Sequence, residues 1–233
     1  MTSPDKIRSK RDDEAGDGMR KYIIMGVQGS GKGTQAKLLA ERLDLEHISV
    51  GDIFRWNIQH HTKLGAQVRR SVAAGEMITD DLVEAVVHRR LSEHDWNFGF
   101  IIDGFPRNQS QARFFLESYD LDAVILLEVP DELVEARILS RRLCSQCGVD
   151  YNLISSRPAT AGICDVCGGR LVARADDTPH AVHGRLRDYH EKTRPVLDLF
   201  RAKEVIVAVG ATGPVAQVQA VICAELGLEA SFA

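Results

Sequence analysis

Apolar residues along this chain fall into two patterns, short continuous runs and longer stripes at helical spacing. Residues 22–25, 98–102, 123–129 and 205–209 are continuous runs of strand length, and 45–48 is a shorter strand candidate. Amphipathic stretches lie between them. Leu38, Leu39 and Leu43 mark a first helix, and Leu82, Val83, Val86, Val87 and Leu91 give a later one its apolar stripe. Ser49-Val50-Gly51-Asp52 and Thr79-Asp80-Asp81 read as N-caps, Gly75 as a helix stop, and Pro130-Asp131 as the start of a helix running to Arg142. Residues 182–202 read as helical apart from Pro195, and a closing helix follows the last strand. Strands that alternate with helices, and that are apolar throughout, predict an α/β fold with a five-stranded parallel sheet covered on both faces. Ligands in such sheets sit at the carboxyl ends of the strands.

Two segments, 49–78 and 141–177, fit this alternation poorly and are expected to be insertions over the site. The core domain is then 20–48, 79–140 and 178–233. Residues 1–19 are polar, carry both acids and bases, and lack the apolar stretch of a signal peptide, which predicts a disordered tail.

Composition adds mostly exclusions. At 233 residues the chain can bury one full core plus a small insertion, or two modest domains. Apolar and charged fractions of 44% and 27% are ordinary for a globular protein, so a soluble, cytoplasmic one is expected. A net charge of −4 makes no general electrostatic case for nucleic acid or an anionic membrane. No apolar run is long enough to span a bilayer.

The first strand runs into Gly26-Val27-Gln28-Gly29-Ser30-Gly31-Lys32-Gly33-Thr34, and a helix follows. Glycines let backbone N–H groups converge on an anion, and the helix start adds unpaired N–H groups and the positive end of its dipole. The arrangement predicts a phosphate-binding loop and a P-loop fold, with Lys32 reaching the outer phosphates and Thr34 a phosphate or Mg²⁺. Gly33 takes the place usual for Ser or Thr, which arrives one residue later. The bland alternative is a glycine-rich surface turn.

Asp103 ends an apolar run, where a carboxylate is costly to bury without a partner such as Mg²⁺ or its water shell. The rival reading is an Asp that simply opens the Asp103-Gly104 turn. Arg55, Arg107, Arg137, Arg141, Arg174 and Arg185 fall beside strand ends or inside the insertions. Planar guanidinium forks match the oxygens of a phosphoryl group, whose transfer needs positioning and charge more than a nucleophile. Taken one at a time, each arginine could equally be a solvated surface residue.

Cys144-x-x-Cys147 and Cys164-x-x-Cys167 have the spacing of a four-cysteine zinc site, with Gly148 and Gly168-Gly169 placed to make tight turns. Four thiolates leave no open coordination position, so the zinc is expected to be structural. Two disulfides are the rival, but nothing in the sequence points to an oxidising compartment. Cys223 stands alone in an apolar stretch.

Joined in order, Gly26-x-x-Gly29-x-Gly31-Lys32-Gly33-Thr34, Ser49-x-Gly51-Asp52-x-x-Arg55, Asp103-Gly104-Phe105-Pro106-Arg107, Arg137-x-x-x-Arg141-Arg142, Arg174-x-Asp176-Asp177 and Arg185-Leu186 resemble the adenylate kinases. The resemblance runs from about residue 20 to the C-terminus, and the cysteine segment resembles the lid of the long, zinc-containing bacterial forms. It implies a monomer that transfers a phosphoryl group reversibly from MgATP to AMP. On that resemblance, Lys32, Arg107, Arg141, Arg174 and Arg185 are the catalytic set. Gly29, Ser30, Gly31, Lys32, Gly33, Thr34, Arg137, Arg141, Tyr151 and Gly213 bind ATP. Val50, Arg55, Ile78, Gly104, Arg107, Gln111, Arg174 and Arg185 bind AMP, and Asp103 acts on Mg²⁺ through water. Residues 49–78 become the AMP-binding insertion and 141–177 a zinc lid.

Four positions depart from the family pattern. Gln28 replaces a proline, Val50 a threonine on the AMP side, and Gly213 a lysine. Asn108 is shared with the UMP/CMP kinases, which carry Asn where this chain has Gln111 and a short lid without cysteines. Two rivals follow: a pyrimidine or broad-range nucleoside monophosphate kinase, and an ATP-dependent nucleic-acid binder with a zinc ribbon. Asp150, Asp165, Asp176 and Asp177 argue against the ribbon, which needs a basic surface.

Overall fold

The computed structural model describes residues 20–94, 98–174 and 176–228. The tail expected at 1–19 lies outside the described residues. Five strands, β1 (Lys21–Met25), β2 (Glu46–Ser49), β3 (Phe100–Asp103), β4 (Ala123–Glu128) and β8 (Ile206–Gly210), form one sheet in the order β2-β3-β1-β4-β8. Every neighbouring pair is parallel.

The continuous apolar runs have a direct structural cause. Successive strand residues point to opposite faces, and both faces are covered. Ile23, Met25, Ile48, Phe100, Ile102, Val124 and Leu126 pack on one side with α2 (Val50–Gln59), α4 (Asp80–Ser92), α5 (Gln109–Ser118) and α8 (Val196–Ala202). Tyr22, Ile24, Ile101, Ile125 and Leu127 pack on the other with α1 (Lys32–Leu43) and α9 (Val215–Glu225). The last strand is less buried than its composition predicts. β8 is a sheet edge, and among its residues only Val209 is fully enclosed.

The segment at 49–78 folds as α2 and α3 (Lys63–Ala74), capped by Ser49 and Thr62. Its Val50, Phe54 and Val68 join the core cluster of the sheet. Thr79 does occupy the N-cap of α4, but its side chain makes no capping hydrogen bond.

Two boundaries moved. The helix expected to reach Arg142 is α6 (Asp131–Leu139), and Arg141 and Arg142 instead open a strand. That strand, β5 (Arg141–Cys144), pairs antiparallel with β6 (Asp150–Asn152) and β7 (Leu171–Val172) in a separate three-stranded sheet. The antiparallel pairing of Arg141 and Arg142 with Asn152 and Tyr151 overrides the helical pattern. Further on, α7 (Pro179–Asp188) passes into a π-helical turn at Tyr189–Thr193 before Pro195 and α8. Among the described residues, no helix is long and apolar enough to cross a membrane.

Candidate active site

The phosphate loop joins β1 to α1 at the centre of the sheet, on the carboxyl side of the strands. Gly26, Gly29 and Gly31 all have positive φ. At Gly29 a Cβ would lie 2.7 Å from Ile138, so the loop can lie flat on α6 only with glycine there. The N-cap of α1 is Gly31, with no side-chain cap, which leaves the first helical N–H groups facing the loop. Lys32 Nζ donates to the Val27 carbonyl at 2.9 Å, and Ser30 N–H donates to the same oxygen at 3.1 Å. The Ser30 hydroxyl is buried without a hydrogen-bond partner. A buried orphan hydroxyl inside a ring of N–H donors fits a phosphate oxygen.

Asp103 stands at the end of β3, in register with Ile24 of β1. A Cβ on Gly33 would lie 3.4 Å from Asp103 Oδ2. That is ordinary contact distance, so the position usual for Ser or Thr stands directly beside the carboxylate. Burial, opposed by Asp103 and reinforced by Arg107 and Arg141, lowers Lys32 to about 8.

Three of the expected arginines are tied together by two adjacent aspartates. Arg141 meets Asp177 fork to fork, Nε to Oδ2 at 2.8 Å and Nη2 to Oδ1 at 2.6 Å. Arg174 grips Asp176 in the same way at 3.1 and 2.9 Å. Arg185 bridges them, reaching Asp176 Oδ2 at 2.8 Å and Asp177 Oδ1 at 3.5 Å. Burial would push the Asp176 carboxyl up, but Arg174 and Arg185 hold it down at about 2. Asp176 and Asp177 belong to the motif readable in the sequence. Their pairing with three arginines is visible only in three dimensions.

Two adjoining clefts share Gly104, Arg107 and Arg185. The first also takes in Gly26, Gln28 and Lys32 of the phosphate loop. The second is walled by Val50, Arg55, Ile78 and Gln111. Arg55 pairs with Asp52 one turn earlier, and Arg107 Nε donates to the Gly104 carbonyl at 2.9 Å. The structure brings Val50, Arg55, Ile78, Gly104, Arg107, Gln111 and Arg185 of the expected AMP set to one cleft beside the phosphate loop, while Arg174 does not line it.

Gln111 is fully buried, and its amide is already engaged. Its Oε1 accepts from the Arg107 backbone N–H at 2.8 Å, and its Nε2 donates to Asp80 Oδ1 at 2.7 Å. Asn108 Nδ2 donates to the same Asp80 oxygen at 2.7 Å, while Asn108 Oδ1 caps α5. The link to Asp80 does not stand out in the sequence, because Asp80 lies one helix and one strand earlier.

Arg137 lies across the loop that follows β8, donating to the carbonyls of Ala211 at 2.9 Å and Thr212 at 3.2 Å, next to Gly213. Thr34 is exposed in the first turn of α1. Tyr151 is placed differently from its expected company. Its side chain is buried in the cysteine cluster, where the hydroxyl donates to Cys164 Sγ at 3.5 Å and accepts from the Asp165 N–H at 2.8 Å.

All four paired cysteines are free thiols, and their sulfurs lie within 4.8 Å of one another. Cys144 and Cys167 are 3.4 Å apart, and Cys147 and Cys164 are 3.5 Å apart. Tetrahedral zinc at about 2.3 Å per bond would space sulfurs at roughly 3.8 Å, so little movement is needed. Gly148 and Gly168, both at positive φ, return their N–H groups to the carbonyls of Cys144 and Cys164 and form two matching knuckles. The Tyr151 hydroxyl lowers the Cys164 thiol to about 6. Against the pull of the Val149 N–H, Cys167 and burial push Cys147 up to about 12. Four thiolates cannot share this space without a cation between them, and the donor set fits zinc.

A five-stranded parallel sheet with a glycine loop at its centre, a carboxylate on the neighbouring strand and a cluster of arginines above defines a P-loop nucleotide-binding fold. The family model described as "Adenylate kinase" matches residues 24–205. The adenylate kinase of Clostridium tetani is 43% identical over 195 residues, covering 82% of this chain and 90% of its own. Those of Caldicellulosiruptor bescii (38%, covering 90% of this chain and 100% of its own) and Streptomyces griseus (40%, covering 86% and 94%) are similar over comparable spans. The chain belongs to the adenylate kinase family.

Proposed function

We propose that this protein catalyses ATP + AMP = 2 ADP as a cytoplasmic monomer, with MgATP on the phosphate loop and AMP in the adjoining cleft. The observation that carries the reading is the shared wall: Arg107 and Arg185 line both clefts, so a group held between them can be reached from either nucleotide. The relatives are named adenylate kinases, which leaves the pyrimidine-kinase and nucleic-acid readings without support.

In this reading the N–H groups of Gly29, Ser30, Gly31, Gly33 and Thr34 wrap the ATP phosphates, and Lys32 leaves the Val27 carbonyl for a phosphate oxygen. Arg137 packs against the adenine of ATP beside the Gly213 loop, while Tyr151 supports that end through the cysteine cluster. Arg55 and Arg107 hold the AMP phosphate, and Gln111 reads its base over an apolar floor of Val50 and Ile78, with the Gly104 backbone alongside. Arg141, Arg174 and Arg185 turn from Asp176 and Asp177 to the transferring phosphoryl group and stabilise its spread charge. Mg²⁺ bound with ATP would screen charge between the phosphates, and Asp103 would be the residue that holds it through water.

Residues 49–78 act as the AMP-binding insertion, and 141–177 act as the lid. Zinc held by Cys144, Cys147, Cys164 and Cys167 would give the small lid sheet the rigidity its few apolar residues cannot. Thiolate ligation of this kind suits a reducing compartment. Closure excludes water, which would otherwise compete with AMP for the phosphoryl group. Initial rates with ATP and AMP, CMP or UMP in turn test the assignment. AMP should be preferred, and a faster rate with CMP or UMP would overturn it.

A further inference from the structure

Gln111 faces the acceptor cleft with only half of its hydrogen-bonding capacity free. A carboxamide has two donor hydrogens and an oxygen with two lone pairs. Here one lone pair is used by the Arg107 N–H, and one hydrogen by Asp80. The two partners are of opposite kind. A backbone N–H can only donate, and an ionised carboxylate can only accept. Each therefore demands the same orientation of the amide, with Oε1 toward Arg107 and Nε2 toward Asp80. Turning it over would put the NH₂ group against an N–H and the oxygen against a carboxylate.

We propose that Asp80, itself held by Asn108, is a specificity-positioning residue that locks the Gln111 amide in one orientation and so selects a 6-aminopurine over a 6-oxopurine. This rests on the reading that Gln111 meets the acceptor base. The locked amide keeps one N–H donor and one oxygen acceptor for that base. A 6-aminopurine offers the complement on one edge, a ring nitrogen that accepts and an exocyclic amine that donates. A 6-oxopurine presents the reverse, a carbonyl that accepts beside a ring N–H that donates. It could be satisfied only by the flipped amide, which Asp80 and Arg107 both oppose. Neither Asp80 nor Asn108 needs to touch the nucleotide for this. Asp80 sits in the first turn of α4, and Asn108 is the cap of α5, so the lock joins the starts of two helices against which the cleft is built.

Acceptor selectivity tests the assignment. Initial rates with ATP as donor and either AMP or IMP as acceptor give kcat/KM for each, in the wild type and in Asp80→Ala, Asp80→Leu and Asp80→Asn. Asp80→Leu keeps the side-chain volume and the helix, so a folded variant without the acceptor is available if alanine unfolds the protein. Wild type should prefer AMP. In the alanine and leucine variants the AMP-to-IMP ratio should fall by about tenfold, mainly through KM for AMP, while KM for ATP stays within about twofold. Asp80→Asn keeps an oxygen at the same place and should restore most of the ratio. Asp81→Ala removes the same charge from the same helix turn without touching Gln111, and it should leave the ratio unchanged. A general loss of activity at an unaltered ratio in the alanine and leucine variants would overturn the proposal and make Asp80 merely structural. A wild type that uses IMP as well as AMP would instead overturn the base-reading role of Gln111.

Discussion

Lys32 and Val27 close the phosphate loop on itself: the lysine ammonium donates to the Val27 carbonyl at 2.9 Å. Burial is the largest influence on this lysine and brings it to about 8. The unfolded chain keeps the same proton to about 10.5, so this group's contribution to stability rises with pH between about 8 and 10.5. A bound phosphate reverses the depression, because it favours the charged form. ATP binding should therefore take up more protons near pH 9 than near pH 7.5. Calorimetry in buffers of different ionisation enthalpy measures that difference, which should vanish in Lys32→Met.

Asp176 is nearly enclosed between Arg174 and Arg185. Replacing it with Asn leaves two guanidinium groups facing each other in a poorly solvated place. Asp176→Asn should lose about 3 kcal/mol of stability near pH 7. The folded carboxyl is depressed to about 2, so its contribution is complete above the unfolded value near 3.8 and disappears as pH falls through about 2. Urea unfolding of both proteins across this range should show the two curves converging in acid.

Arg107 lines both clefts, and its guanidinium is held by a hydrogen bond to the Gly104 carbonyl only three residues away. Arg107→Ala should lower kcat/KM for AMP by about a hundredfold or more while leaving the thermal midpoint nearly unchanged. A near-normal rate would remove this arginine from the transfer site.

Zinc should be found at one ion per chain in reduced protein by metal analysis. Chelation, or Cys144→Ser, should lower the melting temperature and slow turnover through loss of the lid's shape. Metal-free protein with Cys144 and Cys164 in disulfides would refute the zinc assignment.

Gly75 ends α3 at a φ of 74°, and a Cβ there would lie 3.0 Å from both the Cβ and the carbonyl of Ala181 on α7. Gly75→Ala should cost about 1–2 kcal/mol from the left-handed conformation and the crowding together. By pushing the 49–78 segment from the helix that carries Arg185, it should also raise KM for AMP. Thermal unfolding and AMP titration check the two effects separately.

The sheet was legible because a strand buried on both faces needs an unbroken apolar run, as at 123–127. The phosphate loop was legible because its glycines answer a local backbone demand. Other features depend on residues far apart in sequence. The end of α6 at Leu139 is set by the antiparallel pairing of Arg142 with Tyr151, which no helical periodicity registers. β8 reads as buried, but its position at the sheet edge is decided by topology. Arg141, Arg174 and Arg185 could be named as a group from their motifs, and Asp176 and Asp177 with them, whereas the ion pairs that join the two sets could not. The same is true of Gln111, whose expected role at the base comes from family resemblance while its hydrogen bond to Asp80 spans 31 positions.

Asp176 and Asp177 give the nucleotide-free protein its own counter-ions. On the proposed reading, arriving phosphates would not fall into a bare cationic cavity; they would displace one set of anions with another. The affinity they gain is thus the difference between two similar electrostatic states. An exchange of that kind can align the arginines tightly on a phosphoryl group and still let either nucleotide leave. A reaction that must run in both directions needs that ease of departure as much as it needs the grip.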